Sequence, residues 1–132
     1  MTPDEVLKYM NLPHKPGASG PDAYDCWNLL RHLQKTYFGV TLPDAPIGDE
    51  AACLALFKDK AESGEWQAVA IPEHGDCALL RGGTWPHVGI YLDFDGGGVL
   101  HAMEGQGVIW TRLPKLRSFG FGRTVYYRVK HD

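Results

Sequence analysis

At 132 residues the chain is long enough for one domain with a real core and too short for two comfortable ones. Its hydrophobic fraction of 44% and charged fraction of 22% are those of an ordinary globular protein. A net charge of −3, with no basic run interleaved with aromatics, leaves no electrostatic footprint for nucleic acid or an anionic membrane surface.

The opening MTPDEVLKYM has neither a basic n-region nor an apolar segment, so no signal peptide is expected and synthesis in a cytoplasm is. No apolar stretch approaches the ~20 residues of a membrane span. Thr2, Pro3 and Glu5 form a capping-box signature with proline at the first helical position, which predicts a short helix to about Met10. NLPHKPGASGPDAY, residues 11–24, is rich in Pro and Gly and reads as a loop. A second helix is predicted over Cys26 to Phe38, capped by Asp25 and ended by Gly39. A third is predicted in EAACLALFKDKAES, where Asp49 can cap and Gly64 can stop it, with Cys53 buried among Ala51, Leu54 and Leu56.

From Trp66 the pattern changes. WQAVAI, DCALLR, HVGIYLD, GVLHAM, GVIWTRL and RTVYYRV are short aromatic or β-branched segments broken by glycine and proline. Helices first and an antiparallel meander after them predict one α+β domain over residues 1–132, with the helices packed on the sheet. Cys77 falls within one of these strands and is expected to be structural. The three cysteines are odd in number and widely spaced, which fits neither a disulfide framework nor a paired zinc motif.

Cys26 admits two readings. Cys26, Leu29, Leu30, Leu33 and Tyr37 form one apolar stripe at helical spacing, and free cysteine is often a buried core residue. Yet a thiol in the first turn of a helix faces unpaired N–H groups and the positive end of the dipole, both of which favour thiolate. A histidine pair bears on the choice. In PHVGIYLDFDGGGVLHAMEG, a turn at Asp93, Phe94 and Asp95 places Leu92 opposite Gly96, Val88 opposite Leu100 and His87 opposite His101. Val88, Ile90 and Leu92 then face the core, and the imidazoles lie together on the other face. Such a pair suits a catalytic base and the group that orients it. The alternative is two unrelated surface histidines, as expected of His14, His32, His74 and His131. A zinc site of two histidines and a cysteine is the weaker rival, because no H-x-x-x-H or C-x-x-C element is present. No metal and no cofactor is expected.

YDCWNLLRH, HGDCALLRGG, PHVGIYLD and GGGVLHAMEGQGV resemble, in that order, the blocks of the NlpC-type cysteine peptidases, papain-like endopeptidases of peptidoglycan. With LRSFGFGRTVYYR the likeness is to their bacteriophage tail-assembly branch, and it runs from Leu12 to Arg128. The resemblance implies a papain-like fold with Cys26 as nucleophile, His87 as general base and His101 as the residue that orients it. Tyr24, Asp25 and Trp27 are the substrate-binding or oxyanion residues it implies beside the cysteine, and Asp76 matches a structural acidic position. One departure stands out: the family's cysteine is commonly followed by Ser-Gly or Trp-Gly, and here by Trp27-Asn28.

The resemblance also implies a substrate, a peptidoglycan stem peptide cut between γ-D-glutamyl and the diamino acid. It implies synthesis in a bacterial cytoplasm, a place in a virion tail and delivery by tail or other partner proteins. Three other readings share these residues: a structural tail subunit with a vestigial site, an antibacterial cell-wall amidase effector, and an acyltransferase using the same thiol.

Overall fold

A computed structural model describes residues 1–44, 50–82 and 87–129, the side chains of residues 50–53 excepted. Among the described residues the helices are α1 (Pro3–Leu7), α2 (Cys26–Phe38) and α3 (Glu50–Glu62). The strands are β1 (Trp66–Val69), β2 (Cys77–Arg81), β3 (His87–Leu92), β4 (Gly98–Met103), β5 (Gly107–Arg112) and β6 (Arg123–Val129). The fold is α+β. The Asp49 cap and the burial of Cys53 lie outside what is described.

α1 begins as its sequence dictates. Glu5 N–H donates to Thr2 Oγ1 and Thr2 N–H to Glu5 Oε1, with Pro3 in the first turn. It ends at Leu7 rather than Met10, because the sheet claims the next residues. Asn11 turns left-handed at φ 69°. Asn11 N–H then donates to Val108 O, and Val108 N–H donates to Leu12 O, so the chain caps the outer edge of β5.

α2 runs over the predicted residues, from the Asp25 cap to left-handed Gly39. Leu29, Leu30 and Leu33 fill the middle of the predicted stripe and are fully buried, whereas Cys26 and Tyr37 at its ends are half-buried. The helix lies across β3 and β4. There it meets Val88, Ile90, Leu92, Leu100 and Ala102 in one cluster that also takes in Trp27, Phe57 and Trp66.

The strands pair antiparallel in the order β1-β6-β2-β3-β4-β5. The predicted meander therefore holds only from β2 to β5, and β6 inserts between β1 and β2. A short 3-10 segment, Leu113–Phe119, follows β5, and Leu116 and Phe121 pack against Ala78, Leu80 and Val99. The face expected to be free of core is therefore a second, smaller core. The return path also ties β6 to the start of β2. Arg128 Nε and Nη2 donate to Asp76 Oδ1 and Oδ2 at 3.0 and 2.8 Å, and Glu73 N–H completes the carboxylate at 2.7 Å. Asp76, 5% exposed, is thus a structural anchor, as its sequence position suggested.

The β3–β4 register differs from the predicted one by two residues. Ile90 lies opposite Leu100 and Leu92 opposite Gly98, because the turn takes up Phe94–Gly96 and Gly97 as well. A shift of two preserves which side chains share a face, so the apolar pattern could not distinguish the two registers.

Leu33 is wholly buried and Leu7 is 69% exposed. Leu33→Ala should lower unfolding free energy by about 2–5 kcal/mol, and Leu7→Ala should stay within about 0.5 kcal/mol of the parent, as read by urea titration.

Candidate active site

The site begins with a helix N-terminus held from behind. Cys26 is the first residue of α2. Asp25 Oδ1 accepts from Asn28 N–H at 2.7 Å, and Oδ2 accepts from Gly17 N–H and Asn28 Nδ2. Asn28 therefore reinforces the cap with its own amide. The Pro- and Gly-rich loop is pinned in turn. Tyr24 N–H donates to Pro13 O, Lys15 N–H to Tyr24 O and Asp25 N–H to Ala18 O, which sets Tyr24 beside both His14 and Ser19. The Tyr24 ring is buried against Tyr9 and His32, and a Cβ at Gly20 would collide with its hydroxyl. Trp27 turns into the core at 6% exposure, donates from Nε1 to Pro43 O and packs edge-on against Phe57. Tyr24 and Trp27 thus hold the backbone on either side of Asp25 and Cys26.

The other thiol described here sits in a different setting. Cys77 is completely buried, accepts from Gln34 Nε2 at 3.5 Å, and has its pKa pushed up to about 12, chiefly by burial. It is an inert structural thiol, whereas Cys26 is half-buried at a helix start.

The histidines meet on a diagonal. Extending the observed register by one residue puts Gly89, not His87, opposite His101. His87 Nε2 nevertheless lies 2.8 Å from His101 Nδ1, and His101 Nε2 lies 2.8 Å from Thr111 Oγ1. Across the next pair of strands His101 faces Ile109, so Thr111 is again two residues along. Gly89 makes the first diagonal possible. A Cβ there would meet Val99 Cγ1 at 2.5 Å, Leu100 O at 2.8 Å and His101 Cβ at 2.9 Å. Phe121 stacks parallel on the His87 ring at 5.4 Å and stands edge-on to His101, closing the second core over the pair.

Burial holds both imidazoles well below the usual histidine range; for His87 the nearness of His101 and of His14 adds to it. Both are therefore neutral at pH 7. A neutral His87 can take up a proton, and its imidazolium form gains support when a negative charge, such as a thiolate, stands beside it.

His14 is the residue the sequence missed. Expected as a surface bystander, it is half-buried, aligned with Tyr24 and close enough to His87 to depress its protonation. It neighbours Tyr24, two residues before Cys26, and lies near His87, while α2, which Cys26 begins, packs on the strands that carry His87 and His101. His32 and His74 are likewise not free on the surface. His32 Nε2 pairs with the Tyr9 hydroxyl; His74 pairs with Met1 O and accepts from Asp93 N–H. His131 lies outside the described residues. Among the described residues no group of three or more His, Cys, Asp or Glu side chains is placed to hold a metal ion.

A family comparison decides what this arrangement belongs to. The model of the NlpC/P60 family matches residues 11–118. The chain belongs to the NlpC/P60 family. Members of this family are generally cysteine peptidases of the cell wall. The matched stretch takes in the Gly- and Pro-rich loop, Cys26, both histidines of the diagonal and Thr111, and it ends at Ser118, ten residues short of Arg128. No curated protein gives a significant match.

The histidine pair of this NlpC/P60 domain, His101 buried and His87 half-buried, makes folding pH-dependent. In the unfolded chain both histidines bind protons as pH falls below about 6.5, while the folded protein resists. Their contribution is therefore intact above about pH 6.5 and is lost on acidification, at up to about 1.4 kcal/mol per pH unit for each histidine. Urea midpoints at pH 7 and pH 5 should show this slope, and His101→Gln should flatten it. Equal slopes in the two proteins would show that His101 is not held neutral.

Proposed function

We propose that this NlpC/P60 domain is a cysteine peptidase that hydrolyses an amide bond of peptidoglycan stem peptides, between γ-D-glutamyl and the diamino acid, in the service of a phage or prophage tail. The observation that carries the chemical part is a half-buried cysteine at a capped helix N-terminus in a domain that also holds a neutral histidine pair. The substrate and the tail setting rest on the resemblance of the sequence blocks.

In this reading Cys26 Sγ attacks the scissile carbonyl carbon and the thiol proton passes to His87. With His87 Nε2 committed to His101, Nδ1 is the nitrogen left for that proton. A carbon–sulfur bond forms, and His87 protonates the leaving amine as the carbon–nitrogen bond breaks. Water, deprotonated by His87, then cleaves the thioester and returns Cys26. The Cys26 backbone N–H, at the first position of α2, serves the oxyanion. Asp25 accepts three hydrogen bonds and keeps room for one more, enough to hold a substrate ammonium group.

Cys26→Ala should unfold within about 1 kcal/mol of the parent while fragment release from purified peptidoglycan falls by several orders of magnitude. Iodoacetamide near pH 6.5 should alkylate Cys26 well before Cys77. A stable Cys26→Ala protein that still releases fragments, read by mass spectrometry, ends the peptidase reading.

The histidine series tests the division of labour. Release rates should fall in the order parent, His101→Gln, His101→Ala, His87→Ala, because orientation needs only a hydrogen-bond partner and proton transfer needs the imidazole. A His101→Ala protein as fast as the parent removes His101 from the site.

A further inference from the structure

We infer that Thr111 is a positioning residue whose hydroxyl oxygen, by accepting from His101 Nε2, permits the tautomer of the His101–His87 pair that His87 needs to act as a base. The inference rests on the peptidase reading above and adds a residue to its machinery.

Proton accounting along the diagonal carries it. For His87 to accept a proton on Nδ1, its neutral ring must bear hydrogen on Nε2. That N–H points at His101 Nδ1, 2.8 Å away, which must then be an acceptor. A neutral His101 that accepts at Nδ1 carries its hydrogen on Nε2. There the partner is Thr111 Oγ1 at 2.8 Å, inside a site where His101 is wholly buried and Thr111 is 3% exposed. No water can reach that N–H in place of the hydroxyl, and a buried N–H without an acceptor is costly. The same arrangement is required once His87 has become imidazolium, since both its nitrogens then donate. Both protonation states of the working base therefore need an oxygen at residue 111.

Removing that oxygen reverses the chain. With an apolar group at 111, His101 moves its hydrogen to Nδ1 and donates to His87 Nε2. His87 is left with hydrogen on Nδ1, the tautomer that cannot take up the thiol proton. The backbone pairing is untouched, because threonine and valine share a shape and residue 111 keeps its β5 position opposite Val99.

The test pairs Thr111→Val with Thr111→Ser in ¹⁵N-labelled protein. Two-bond ¹H–¹⁵N spectra at pH 7 report the tautomer of each neutral ring. The parent and Thr111→Ser should show His101 and His87 both protonated on Nε2, and Thr111→Val should show both on Nδ1. In fragment release Thr111→Val should lose on the order of 10²-fold in kcat with KM little changed, and Thr111→Ser should recover most of it. A Thr111→Val protein that keeps both hydrogens on Nε2, or a parent that carries them on Nδ1, overturns the inference. So does an exchanged tautomer with an unchanged kcat. If the parent releases no fragments at all, the peptidase reading fails, and the spectra alone still decide whether the tautomer depends on Thr111.

Discussion

The burial of one imidazole governs much of this structure. His101 sits mid-strand in a sheet covered on both faces, and a polar ring can remain there only if both nitrogens find partners. Those partners come from the strands on either side, each two residues off the direct pairing, so the hydrogen-bonded line crosses β3, β4 and β5 obliquely. The line needs Gly89 to stay bare, and it needs a cover. The cover is what the chain provides after β5, where Leu113–Phe119 and Phe121 lie over the face that holds the rings. The topology and the site are two aspects of the same closure, since the segment that shields the histidines also delivers β6 to its place between β1 and β2.

The N-terminus of α2 is, by contrast, polar. There stands a carboxylate that two backbone N–H groups and the Asn28 side-chain amide saturate in part. A glycine at that position would leave the backbone more open, whereas the asparagine amide adds a second bond to Asp25 and stiffens the first turn. The cap positions the cysteine main chain, and the dipole favours negative charge on its sulfur. Burial keeps the histidines from charging unaided. In the proposed thiol chemistry each group would meet the charge that the other generates.

The sequence revealed the local elements and missed those made by distant parts of the chain. α2 was legible to the residue because its cap, its stripe and its terminal glycine are all local signals. The six strands were legible from their β-branched runs. The register of β3 on β4 was not, because a two-residue slip leaves the apolar pattern unchanged and only the length of the glycine-rich turn decides it. α1 lost its last turn to a backbone pairing with Val108, about a hundred residues away, which no propensity encodes. His14 and Thr111 were invisible for the same reason. A histidine in a Pro-rich loop and a threonine in a strand look ordinary until folding sets one beside Tyr24 and the other beneath His101.

The pairing error is instructive about the histidines. The predicted contact was a direct cross-strand pair, and the observed one is a diagonal, yet both put the rings on one face within reach. Direct partners in a ladder hold their side chains parallel, which would stack two imidazoles face to face. On the diagonal the rings meet nearly edge-on, 76° apart, and a nitrogen of each can point at the other. A hydrogen bond between two rings needs an in-plane nitrogen of each to point at the other, which face-to-face stacking forbids. The slip of two residues is therefore what converts adjacency into a directed bond, and glycine at 89 is the residue that permits it.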